Sequence, residues 1–293
     1  MRTQELKKTN ISEVISDTKT SRKTVTKIEK NRRNTSVLIF NIMVTVVIFL
    51  IVKFPGEFLR RELLESSGLS YIKVMFLIET MAGLLGVGGL FLVKKQGTLA
   101  FSAKGILKGV ATGSLMLGLS SLLLLTFLFN HDPFTVSGLD MVLYAIFLVM
   151  IGVYEESLFR GILQNAFHEY FGEDSGKNIV TAIVCASVVF GLFHLFNLFS
   201  GAGLLQVVIQ ALSAIGGGMI FGVIYCNSRK NLWLCALIHG FCDGCSFLHG
   251  GIFSGRTVVD SINDFSIKNV ATIVIYLVIA ICLMMTIKTE KAE

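Results

Sequence analysis

Eight stretches of the chain are apolar over most of their length, at about Val37–Val52, Ile72–Val93, Ile106–Phe129, Met141–Gln164, Ile179–Phe199, Leu204–Cys226, Leu232–Leu248 and Val270–Ile287. Each is at or near the ~20 residues that an α-helix needs to cross a ~30 Å hydrocarbon core. The pattern predicts an all-α, polytopic membrane helix bundle of about eight transmembrane helices. Both prolines, Pro55 and Pro133, fall between runs, so the runs are expected to be uninterrupted helices. The first and seventh runs are the shortest, and Phe54 and Trp233 stand where interfacial anchors belong.

Composition extends this picture to the whole chain, 53% hydrophobic and 16% charged. The six cysteines lie inside or beside apolar runs, which is not a disulfide framework. Residues 1–36 carry ten Lys or Arg and almost nothing that could form a core. They are expected to be a disordered cytosolic tail able to lie on anionic lipid, with 37–293 as the transmembrane domain. No cleavable signal peptide is expected. With the start inside, Lys94, Lys95, Lys104, Lys108, Lys177, Arg229, Lys230, Lys288 and Lys291 join the tail, against Lys53, Arg60, Arg61, Lys73, Arg256 and Lys268 outside. The bias predicts both termini cytosolic. Short loops point to a multi-pass protein of a bacterial cell membrane, and no nucleic-acid partner is expected. Gly105, Gly109 and Gly113, and Gly216 to Gly218, have the spacing of close helix contacts.

The run from Val142 to Gln164 contains Glu155, Glu156 and Arg160. Each charge near a bilayer centre costs roughly 2.5–3.5 kcal/mol on an insertion scale, so they need partners. Glu156 and Arg160 are one helical turn apart and can neutralise each other. Glu155 points about 100° away around the helix and is left over. The fifth run supplies His194 and the seventh His239 and Asp243, again one turn apart. Together these six side chains predict a water-filled polar site on three spans. By helical rise, Glu155 and His239 both come out about 9–10 Å from the inner boundary, whereas His194 lies about 22 Å along its run. The expectation is that its helix starts below the membrane and enters nearer Ala186.

These residues carry a resemblance. Glu155-Glu156-Ser-Leu-Phe-Arg160 resembles E-E-x-x-x-R, Phe190 to His194 resembles F-x-x-x-H, and His239 to Asp243 resembles H-x-x-x-(N/D) of the CAAX protease and bacteriocin-processing (CPBP, or Abi) family of intramembrane endopeptidases. The likeness covers about 141–248. It implies hydrolysis of a peptide bond in a membrane-associated protein or peptide, near the cytosolic half of the bilayer. Residue by residue, it makes Glu155 the base for the attacking water, with His194 beside that water. His239 and Asp243 would stabilise the oxyanion, and Glu156 with Arg160 would hold the site together. Position 243 is Asp where the CAAX-processing branch resembles this motif with Asn, and an ionised Asp has no proton to donate. It could instead orient His239 or help hold a metal. The resemblance leaves two chemistries open: no cofactor, or a single zinc ion held by Glu155, His194, His239 and Asp243.

Two other readings use the same residues. Cys235, His239 and Cys242 share a helical face and would suit a metal-handling membrane protein. A non-catalytic regulator or immunity-type binding protein would keep the fold without the chemistry. Cys242-Asp-Gly-Cys245 reads as packing, His131, His168 and His249 as solvated groups at span edges or in loops, and Glu79 as an intramembrane acid near one end of its span that this reading leaves unexplained.

Overall fold

The computed structural model describes residues 34–130, 136–266 and 269–287. The tail reading therefore lies almost wholly outside the described residues, as does Pro133. Contacts divide the chain into Met1–Phe40 and Asn41–Glu293; in the first unit Asn34–Phe40 are helical, and the site lies in the second.

The protein is 85% helix without strands among the described residues. Among the described residues seven helices are long and apolar enough to cross a membrane: α1 (Asn34–Ser66), α2 (Tyr71–Leu92), α3 (Ile106–Phe129), α4 (Gly138–Phe171), α5 (Gly176–Ser200, its last six residues a 3-10 turn), α6 (Leu204–Asn227) and α7 (Leu232–His249). A short helix, α8 (Val258–Asn263), follows. The eighth apolar run forms α9 (Val270–Met285), which at 16 residues is shorter than the other seven.

Pro55 corrects one expectation. It lies inside α1, in a π-helical turn over Val52–Gly56. Proline has no N–H for an α-helical bond, and the wider turn carries the helix through it to Ser66. α4 is likewise not uniform: an α segment, Gly138–Glu156, passes into eight π-helical residues, Ser157–Gln164, and back to α over Asn165–Phe171. π turns inside α-helices are uncommon and gather at functional sites.

Two glycines let α4 and α7 cross closely. A Cβ on Gly152 would stand 2.1 Å from the Ala236 carbonyl oxygen, and one on Gly240 would stand 2.5 Å from that of Leu148. Backbone therefore meets backbone at this crossing, three residues before Glu155 and one after His239. The glycines singled out by spacing also pack: a Cβ on Gly109 would lie 2.6 Å from a Leu234 methyl, and one on Gly218 3.1 Å from Ser187 and Phe190. Polar caps set the ends of α4, α5 and α7, where Ser137, Ser175 and Asn231 accept from the backbone N–H of Asp140, Asn178 and Leu234. At α8, Thr257 and Asp260 form a capping box. The Thr257 backbone N–H holds the Asp260 carboxyl below its usual range.

The turns fall into two sets. Residues 67–70, 201–203 and 250–257 join helices on one side of the bundle, and 93–105, 172–175 and 228–231 on the other. Cross-links tie the first set together: the Val258 N–H donates to the Tyr71 hydroxyl (3.1 Å) and the Gly203 N–H to Asn263 Oδ1 (2.9 Å). On the second side the Trp233 indole donates to the Leu99 carbonyl (2.8 Å) and Asn231 to that of Ser102 (2.7 Å).

Candidate active site

Glu156 is fully buried, and its Oε1 accepts from Arg160 Nη1 at 2.8 Å. The turn spacing read from sequence thus closes an ion pair at the start of the π segment. Arg160 is 2% exposed. Its Nη2 donates to the Gly218 carbonyl of α6 (3.1 Å), and its guanidinium carbon lies 5.0 Å and 5.2 Å from the Phe190 and Phe221 ring centroids. A buried cation is held here by a carboxylate, a carbonyl and two aromatic faces. One turn further, Gln164 repeats the contact by donating to the Gly222 carbonyl (3.1 Å). The π stretch thus fastens α4 to α6 at every fourth residue.

The same Glu156 oxygen lies 2.7 Å from His239 Nδ1. A carboxylate oxygen only accepts, so Nδ1 carries the proton. The other ring nitrogen, Nε2, faces Glu155 Oε2 at 3.3 Å and Asp243 Oδ2 at 3.6 Å. The ring stacks on Phe221, with centroids 4.9 Å apart at 22°, and meets Phe190 edge-on. Position and tilt of His239 are fixed, and with a carboxylate facing each ring nitrogen both can carry a proton.

His194 ends the α-helical part of α5. Its Nδ1 lies 3.0 Å from the Phe190 carbonyl oxygen, so Nδ1 donates and Nε2 keeps its lone pair. In the 3-10 turn that follows, Asn197 and Ser200 accept from Lys53 Nζ of α1 at 2.9 Å and 2.7 Å.

Glu155, His194, His239 and Asp243 all line one cavity of about 310 Å³. The cavity also takes in Glu79 and Tyr71 of α2, Lys53 and Arg60 of α1, and Val258 of α8. Glu79 and Lys53 are among the lining groups whose part sequence did not foretell; Glu79 was marked by its place in an apolar run, and Lys53 directly follows one. Arg60 is tied to Glu57 by two bonds, of 2.5 Å and 2.9 Å. Residues 137–245, which hold all six motif side chains, match the family described as type II CAAX prenyl endopeptidase Rce1-like. This part of the chain is Rce1-like. The match agrees with the family named from the three motifs, and Rce1-like proteins are intramembrane endopeptidases. No curated protein matches the chain. Seven apolar helices with an Rce1-like core make it an integral, multi-pass membrane protein.

Zinc can be tested against the donors. Among the described residues no three His, Cys, Asp or Glu side chains gather to hold a metal ion. His239 turns Nδ1 to Glu156 and Nε2 to Glu155 and Asp243, while His194 keeps its Nε2 lone pair. The same finding removes the geometry for a metal-handling set of Cys235, His239 and Cys242, and all six cysteines are free.

His168 corrects the reading of a solvated edge group. It is 2% exposed, with Nε2 3.3 Å from Gln164 Nε2 and 3.8 Å from Cys226 Sγ. The depth of His194 also finds its explanation. The cavity is lined from Glu155, near the middle of α4, to residues beside the turns at 67–70, 201–203 and 250–257. His194 lies toward that end of α5, so no shared depth near the opposite boundary is needed.

Proposed function

We propose that the chain is an intramembrane endopeptidase that hydrolyses a peptide bond in a membrane-associated peptide or protein by a glutamate-activated water. The observation that carries this reading is the placement of His239. One carboxylate pins its inner nitrogen at 2.7 Å, while its outer nitrogen faces Glu155 and Asp243 in a cavity shared with His194.

In this reading Glu155 takes a proton from water, and the lone pair on His194 Nε2 helps orient that water. The oxygen bonds to the scissile carbonyl carbon, and His239, protonated on both nitrogens between its carboxylates, donates its Nε2–H to the developing oxyanion. The C–N bond then breaks, and the proton held by Glu155 passes to the departing amine. Glu156 and Arg160 act as positioning residues, since they hold His239 without facing the cavity. Asp243 shares the outer nitrogen of His239 and orients it, a role that asks no donated proton.

The test is cleavage of a panel of membrane-associated peptides by purified protein and its Glu155→Gln and His239→Ala variants. Loss in both, with folding retained, supports the reading. Cleavage undiminished in Glu155→Gln would end it.

A further inference from the structure

The cavity is reached from one side of the bundle. Its lining includes Tyr71, Ser200 and Val258, which border the turns at 67–70, 201–203 and 250–257, and no residue from 93–105, 172–175 or 228–231. The polarity of the motifs says the same. Along α4, Glu155 precedes Arg160 and so lies nearer the Gly138 end. Along α7, Asp243 follows His239 and so lies nearer His249. Both of these ends lie on the side of the cavity-bordering turns.

The C-terminal end of α9 lies on the other side. A Cβ on Gly176 would stand 3.1 Å from the Ile287 carbonyl oxygen, which puts residue 287 beside the start of α5. Cytosolic termini and a cavity reached from the cytosol, both expected from sequence, therefore exclude each other in this fold.

Charge decides between them. The far side carries Lys94, Lys95, Lys104, Lys108, Lys177, Arg229 and Lys230, with Lys288 and Lys291 next along the chain after residue 287. The cavity side carries Lys53, Arg60, Arg61, Lys73 and Arg256, with Lys268 next before α9 along the chain, and of these Lys53 is drawn into the cavity wall toward Asn197 and Ser200. Ten further basic residues precede α1. An excess of Lys and Arg near span ends marks the cytosolic face, whatever acids accompany it.

We propose that the catalytic cavity is served from the extracytoplasmic face. Its substrate is then the outward-facing segment next to a membrane anchor, a peptide bond presented after its segment has crossed the bilayer. A chain anchored on the inner leaflet would be out of reach. This rests on the endopeptidase reading only for the statement that the bound peptide is cut.

The test uses the full chain in intact bacterial cells and a membrane-impermeant maleimide, with the parent protein giving the background of its own cysteines. Ser246→Cys stands in the cavity wall and is exposed, Ser254→Cys stands on the cavity-side turns, and Gln96→Cys is exposed on the far side. Ser246→Cys and Ser254→Cys should be labelled in intact cells, and Gln96→Cys only after permeabilisation. The reverse pattern, or labelling of Gln96→Cys alongside the other two in intact cells, overturns the proposal. Labelling does not depend on catalysis, so inactivity of the purified protein would count against the endopeptidase reading and leave the sidedness standing.

Discussion

Glu156 and His239, 83 residues apart, meet at 2.7 Å through Oε1 and Nδ1, and the same oxygen receives Arg160 at 2.8 Å. One buried acid thereby sets both the helix that carries the proposed base and the ring that faces it. Its second oxygen, Oε2, has no hydrogen-bond partner among the described residues. The two adjacent glutamates thus divide in role, with Glu156 structural and Glu155, 23% exposed at its side chain, turned to the cavity.

Glu155→Gln should lower cleavage by roughly 10²–10⁴-fold, the usual contribution of a positioned general base. Its melting temperature in detergent should stay close to the parent's, since Glu155 faces a cavity and not a packed core. A parallel collapse of the fold would show that its burden is structural.

Arg160→Leu should be far more damaging to stability. It strands the Glu156 carboxylate in a buried site, where breaking an ion pair costs about 3–5 kcal/mol. Thermal unfolding of the purified variant measures this. Arg160→Lys should recover part of the loss but not all, because an ammonium cannot reproduce the fork that reaches both Glu156 and Gly218.

Gly152→Ala should destabilise by about 1–3 kcal/mol, the usual cost of overpacking, because the added methyl meets the Ala236 carbonyl at 2.1 Å and backbone cannot swing aside. Prying α4 from α7 also moves Glu155 away from His239, so kcat should fall with stability. Gly118→Ala, where nothing lies within 4 Å of the new methyl, is the control and should change neither.

Lys53→Met should loosen the turn after His194, since Lys53 Nζ supplies bonds to both Asn197 and Ser200. Charge-assisted bonds contribute about 1.5–3 kcal/mol each. A drop in kcat with little change in overall melting would fit a local release of His194, and unchanged kcat would dismiss the tether.

Metal stripping of the purified protein should leave cleavage intact, because His239 gives both nitrogens to carboxylates and no three donors gather for a metal among the described residues. Activity lost to a chelator and restored by zinc would require a rearranged site.

The spans and the convergence of Glu155, Glu156, Arg160, His239 and Asp243 were legible in the sequence, because a charge in hydrocarbon advertises its need for a partner. The contact that makes the convergence possible was not. Gly152 stands outside any short repeat, and although Gly240 and Gly244 recur at four, spacing does not name the helix they meet; the closeness exists only once two distant helices cross. The π turns were hidden for a related reason: apolar periodicity over eight residues cannot separate a turn of 3.6 from a wider one. Pro55 misled because proline usually ends a helix, and here a wide turn absorbs it. The side from which the cavity is reached needed the structure too, since helical rise places Glu155 and His239 along their helices without saying at which end the cavity opens.

The wide coil at Ser157–Gln164 makes α4 a helix with a spare residue in it. A one-residue deletion there has somewhere to go: the coil can tighten to α and keep its length nearly unchanged. Because the wider turn takes up the lost residue, the chain beyond would stay close to its present facing, and the half holding Gln164 and His168 would keep its track on α6 while Glu155 kept its place. The helix is thus a shaft with a built-in gear, and changes on either side of residues 157–164 are free to follow separate histories.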